Sequence, residues 1–173
     1  MAIYFPNSQL GEVMGESWRI TSQFSGDNNF LGGNSLTNWE RSDDVYGGTT
    51  LSSGNILSES NGSFTFGADY YGWYLVIWQH YMYYNDNNRY GEFKLQVSWN
   101  SGANWDNHGY ATASISPNTS ENYNQCATAT STVFAGAATR LRFDLSQHNN
   151  SAVTYGETTA QATGFSIIRI ADA

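Results

Sequence analysis

The sequence is short of charge, cysteine and lysine, and each shortage removes a class of protein. Only 13% of its 173 residues are Asp, Glu, Lys or Arg, about half of the roughly 25% found in ordinary soluble chains. Lys94 is the sole lysine. The surface must therefore be built from the Asn, Ser, Thr, Gln and Gly that crowd the chain. With 7 basic against 15 acidic residues the formal charge is −8, so the surrounding field repels phosphate and no nucleic-acid partner is expected. A single cysteine, Cys126, excludes an intramolecular disulfide and a Cys-based zinc cage. Its small Ala and Thr neighbours suit a buried apolar role. No run reaches the 18 or so apolar residues of a membrane helix, and Met1 to Leu10 has neither the basic start nor the apolar stretch of an export signal. No membrane insertion is expected, and a chain starting at Met1 would fold in a reducing cytoplasm.

What is present is aromatic. The 6 Trp, 12 Tyr and 9 Phe, 16% of the chain, are a hydrophobic payload that a disordered chain does not carry. Aromatics and hydroxyl residues with little Lys, Glu or Leu favour strands over helices, so the fold class is all-β. The length suits one domain. From Met1 to about Phe30 no period of 2 or 3.6 is sustained, and residues 1–30 read as an N-terminal arm or irregular docking segment, or as an irregular first strand, before a folded domain at 31–173. The strongest signal is Gly72 to Tyr84, apolar on both parities for about eight residues. The Asn85-Asp-Asn-Asn88 stretch then reads as a hairpin turn. Phe93, Leu95, Val97 and Trp99 alternate with Lys94, Gln96 and Ser98, and Leu141, Phe143 and Leu145 alternate with Arg142 and Asp144, as in strands with one buried face. About eight strands separated by turn signals describe an antiparallel sandwich or barrel.

The order Phe64-Thr-Phe66, Gly72-Trp-Tyr-Leu-Val-Ile-Trp78, the Ser/Thr-rich strand through Val133, Gly136 with Arg140-Leu-Arg-Phe143, and Thr163-Gly-Phe-Ser-Ile-Ile168 resembles the complement globular-head and tumour necrosis factor jelly roll. The resemblance spans about Trp39 to Ala171. It implies a two-sheet jelly-roll sandwich, homotrimeric, with the last strand near the threefold axis. Two departures, the missing signal peptide and stalk and the Gly136-Ala-Ala-Thr139 turn, point away from the secreted members. The composition is instead similar to that of marine bacteriophage virion proteins with the same jelly roll, which leave the cell by lysis. The expected role is a non-enzymatic capsid decoration or fibre head located in the virion, partnered by itself and by phage capsid or fibre proteins.

Candidate sites follow from the aromatic surplus. Successive strand residues face opposite sides, so one face of a small sandwich cannot bury every ring between Trp73 and Tyr84. A subunit seam is one sink, with Trp73, Tyr74, Trp78, Phe165 and Ile167 as its expected residues. A sugar platform is the other, with Trp99, Trp105 and Tyr110 as possible contacts to host glycans. Of these, Trp105 is expected to be buried against Tyr110 or a neighbouring subunit. Asp86 and Asp106 stand in oxygen-rich turns of the kind Ca²⁺ accepts, which are equally the residues that turns require; no metal and no cofactor is expected. His80, His108 and His148 lie in separate segments without ligand spacing, and no nucleophile elbow or phosphate loop appears, so no catalytic residue is assigned.

Overall fold

The computed structural model describes residues 14–25, 36, 38–42, 55–84, 90–114, 123–147, 153–158 and 161–173. These form twelve strands: β1 Gly15–Ile20, β2 Phe24–Ser25, β3 Trp39–Arg41, β4 Leu57–Ser60, β5 Ser63–Phe66, β6 Gly72–Tyr84, β7 Tyr90–Ser98, β8 Asp106–Ser114, β9 Tyr123–Ala135, β10 Arg140–Gln147, β11 Val153–Thr154 and β12 Gly164–Asp172. All pair antiparallel, in two sheets. Sheet I runs β2-β11-β6-β12-β1-β3, with β9 on the other edge of β6; sheet II runs β4-β5-β10-β7-β8.

Alternation decides what lies between the sheets. Tyr74, Val76, Trp78, His80 and Met82 of β6 point inward and are almost fully buried, as are Phe93, Leu95 and Val97 of β7 and Leu141, Phe143 and Leu145 of β10. The rings interlock across the interior. Phe143 lies 4.5 Å from Phe165, 5.1 Å from Phe93 and 5.7 Å from Trp39 between centroids. Phe64 lies 4.8 Å from Phe165 and 5.1 Å from Trp18. Burying the Trp78 indole leaves its N–H in need of an acceptor, and it donates to the Phe93 carbonyl at 2.9 Å. Much of the aromatic surplus thus finds its sink inside one chain.

Two expectations change, and a hairpin is added. Residues 15–25, expected in an arm or an irregular first strand, contain β1 and β2, with Trp18 and Ile20 in the core; residues 1–13 lie outside the described residues. The segment was opaque because its polar residues are satisfied by remote partners. Glu16 accepts from the Trp18 indole at 2.6 Å and from the Ile56 and Leu57 amides at 2.8 and 3.2 Å, with the Arg41 guanidinium 2.9 Å away. Second, β6 and β7 do not form a hairpin, because they belong to different sheets; the expected turn at 85–88 lies outside the described residues. The added hairpin joins β4 and β5 through Asn61 and Gly62, both at positive φ (50° and 74°). That is the two-residue turn whose twist matches antiparallel strands, and Asn-Gly is its usual pair.

Candidate functional site

The outward row of β6 holds Trp73, Leu75, Ile77, Gln79 and Tyr81, opposite Phe134, Thr132, Thr130, Thr128 and Cys126 of β9. On the other side Leu75 faces Ile168 and Ile77 faces Ser166 of β12. The rings of Trp73 and Phe134 meet at 5.3 Å. Trp73, Phe134 and Ile170 remain 45%, 37% and 48% accessible, and Leu75, Ile77 and Ile168 are half-buried. The residues named in these rows carry no charge. Further along the sheet, Arg19 and Glu40 bind each other, with Nε 2.7 Å from the carboxylate. This is a contiguous apolar and hydroxyl stripe of the kind that marks an association surface.

Of the five expected seam residues, only Trp73 stands on this face. Tyr74, Trp78, Phe165 and Ile167 point into the sandwich, at 0–1% accessibility within a single chain, and cannot touch a second subunit. Ring size favoured the aromatic parity for the seam, whereas the facing rings of sheet II claim that parity for the core. The outer face carries Leu75, Ile77, Phe134, Ile168 and Ile170 instead. The signal was available, since a strand apolar on both parities has a second row to cover.

The outer face of sheet II has the opposite character. Lys94 pairs with Glu92 at 3.0 Å and Asp144 at 3.6 Å, with its ammonium 5.8 Å from the centroid of Tyr110. Burial pulls the Lys94 pKa down, but the bonds and charges of Glu92 and Asp144 outweigh it and hold it above the ordinary lysine value. The Arg142 guanidinium lies 4.2 Å over the Trp105 ring and donates to Gln96 at 2.7 Å. The chain of bonds continues from Gln96 to Asn107 at 2.8 Å and from Asn107 to the Tyr110 hydroxyl at 3.0 Å. The charges of Lys94, Glu92 and Asp144 are thus matched to one another within the chain.

The three expected glycan contacts differ in their surroundings. Tyr110 is exposed on sheet II, and Trp105 is half-buried against Arg142 rather than against Tyr110. Trp99 runs past the end of β7 and meets His108 edge-on at 5.6 Å. Between Trp99 and Trp105, Ser98 Oγ accepts from the Gly102 amide at 2.8 Å and Asn100 Oδ1 from the Asn104 amide at 2.9 Å.

His80 is sealed in the core, its Nε2 2.9 Å from Thr154 Oγ1, and burial drives its pKa down to about 3. His108 Nδ1 stands 3.4 Å from Ser131 Oγ. Cys126 is exposed, contrary to the expected burial, because it falls on the outward row of β9. Asp86 lies outside the described residues and Asp106 is exposed. Among the described residues no three His, Cys, Asp or Glu side chains gather as a metal would need.

No protein-family model matches the sequence, and no curated protein matches it significantly. Solved structures do match in fold. Eiger TNF from S. frugiperda superposes with a TM-score of 0.65 at 13% identity, over 94% of this chain and 95% of that one. Murine APRIL at pH 5.0 gives 0.61 at 9% identity, over 91% and 99%, and at pH 8.0 it gives 0.57 at 8% over the same shares. The fold is an antiparallel two-sheet jelly roll of the tumour necrosis factor type.

Proposed function

We propose that the chain is a non-enzymatic structural protein of a bacteriophage virion, a homotrimeric jelly roll serving as capsid decoration or fibre head. The observation that carries self-association is the uncharged stripe of Trp73, Leu75, Ile77, Phe134 and Ile168 on the outer face of sheet I. Each chain brings a formal charge of −8, so copies repel one another and join best through a face that adds no like charges. Three copies are what the resemblance implies. The virion setting is supported by the low-charge Asn-, Ser- and Thr-rich composition. Among the described residues no helix is long and apolar enough to cross a membrane. A cryo-EM map of the source particle tests this reading: threefold density fitted by the sandwich supports it, and a particle without the protein overturns it. A second reading, recognition of host glycans, is favoured by the exposure of Trp99 and Tyr110 at 42% and 48%.

A further inference from the structure

β11 and β12 lie in line along one edge of β6 and do not meet. β12 pairs as far as Gln79 and β11 begins at Met82, which leaves His80 and Tyr81 without a strand partner on that edge. Side chains and loop backbone complete the sheet there. The Thr163 hydroxyl accepts from the Tyr81 amide at 3.1 Å and lies 3.3 Å from its carbonyl, while the Tyr155 amide donates to the same carbonyl at 2.9 Å. The Gln79 carboxamide donates to the Ala162 carbonyl at 2.9 Å and also to that of Gln161. The result is a depression of about 600 Å³ on the outer face of sheet I, floored by Gln79 and Tyr81. This falls within the roughly 300–1,000 Å³ of small-molecule sites.

Its walls are held firmly. Tyr81 and Tyr155 meet edge to face, 5.7 Å apart at 74°. Gly156 fixes the approach of Tyr155 and Glu157, since a Cβ there would come within 2.5 Å of the Ser22 carbonyl. Asn124, Glu157 and Gln161 supply amide and carboxylate groups at the rim. Tyr155 is 37% accessible, so its ring is open to a ligand.

We propose that this depression binds one neutral saccharide ring, stacked on Tyr155 with its hydroxyls bonded by Glu157, Asn124 and Gln161. An aromatic ring takes the apolar face of a pyranose, and fixed amides and a carboxylate take its hydroxyls. Among the described residues the only charged group in the lining is an acid, on a chain of net charge −8, which turns away anionic sugars. The proposal rests on the glycan-binding reading, moves its site from sheet II to sheet I, and requires that association through Trp73, Leu75 and Ile77 leave the Gln79 and Tyr81 end of the same face open.

Cys126, the sole thiol, lines the depression and reports on it. The native, assembled protein is alkylated with iodoacetamide in the presence of methyl glucoside, methyl galactoside or N-acetylglucosamine, with glucuronate as the anionic control. At least one neutral sugar at saturation is expected to slow alkylation several-fold, with glucuronate without effect. Tyr155→Ala should lose that protection at an unchanged melting temperature, while Tyr155→Phe and Tyr110→Ala keep it. Protection by no sugar, or protection surviving Tyr155→Ala, overturns the site. So does a thiol unreactive in the native protein without sugar and reactive once unfolded, because another copy then fills the depression. If glycans bind an array and Tyr110→Ala alone abolishes that binding, the glycan reading stands on sheet II and this site falls.

Discussion

The two outer faces of the sandwich are made by strands of similar length and equal alternation, yet they end in opposite states. Sheet II presents Lys94, Glu92, Asp144, Arg142 and Gln96, each tied to another residue of the same chain, with Arg142 and Asp144 only 8% and 6% accessible. Sheet I presents Trp73, Leu75, Ile77 and Ile168 beside a row of threonines. A face that completes its own polar bonds has little left to offer a partner. A face that leaves apolar side chains open gains by covering them, at about 25 cal/mol per Å² buried. On the proposed reading, the difference separates a face suited to water from a face suited to another copy.

The sharpest test of the inward and outward rows is on β6. Trp78→Ala removes a ring packed from both sheets and is expected to cost about 3 to 5 kcal/mol in urea unfolding. Ile77→Ala on the outward row should leave the stability of a single chain nearly unchanged and act on association instead. A comparable loss from both would erase the distinction.

The next effect is pH dependence from the inward row. Burial holds His80 neutral with a pKa of about 3, against 6.5 for the free side chain. The unfolded chain therefore takes up a proton that the fold refuses. This part of the stability is complete above the unfolded value and falls by about 1.4 kcal/mol per pH unit as pH drops toward the folded one. Urea midpoints measured from pH 7 to pH 4 should show that slope, and His80→Gln should flatten it even if its midpoint is lower throughout.

Smaller effects belong to sheet II. Trp105→Ala uncovers Arg142 but opens no core cavity, so a loss of about 1 to 2 kcal/mol is expected, with mass unchanged. Lys94→Ala breaks a partly exposed ion pair and should cost under about 1 kcal/mol, less at high salt. A change of mass in either variant would place the association surface on the wrong sheet.

Strands with one apolar row were legible. β7 and β10 read directly from Phe93-Leu95-Val97 and Leu141-Phe143-Leu145, because each alternates with residues that face the sheet II surface. β6 was found but its rows were not sorted, since both are apolar and only the rings of Phe93 and Phe143 across the interior show which is inside. β1 read only as an arm or an irregular first strand because Glu16 and Arg19 break its pattern, and their partners Ile56, Leu57 and Glu40 lie tens of residues away. The Asn61-Gly62 turn was readable and was passed over because Leu57 to Ser60 carries a single apolar residue. The depression at Tyr81 and Tyr155 had no local signal. It arises where two strands distant from β6 in sequence stop short of each other on its edge.

The central claim is that the outer face of sheet I joins copies of this chain and that of sheet II does not. Light scattering at micromolar concentration tests it on the native protein and on two variants, Ile77→Asp on sheet I and Thr112→Asp on sheet II. The wild type and Thr112→Asp are expected near three times the 19.2 kDa chain mass, with Ile77→Asp folded but near the single-chain value. A wild-type mass of 19.2 kDa, or a trimer that survives Ile77→Asp and dissociates with Thr112→Asp, would contradict it.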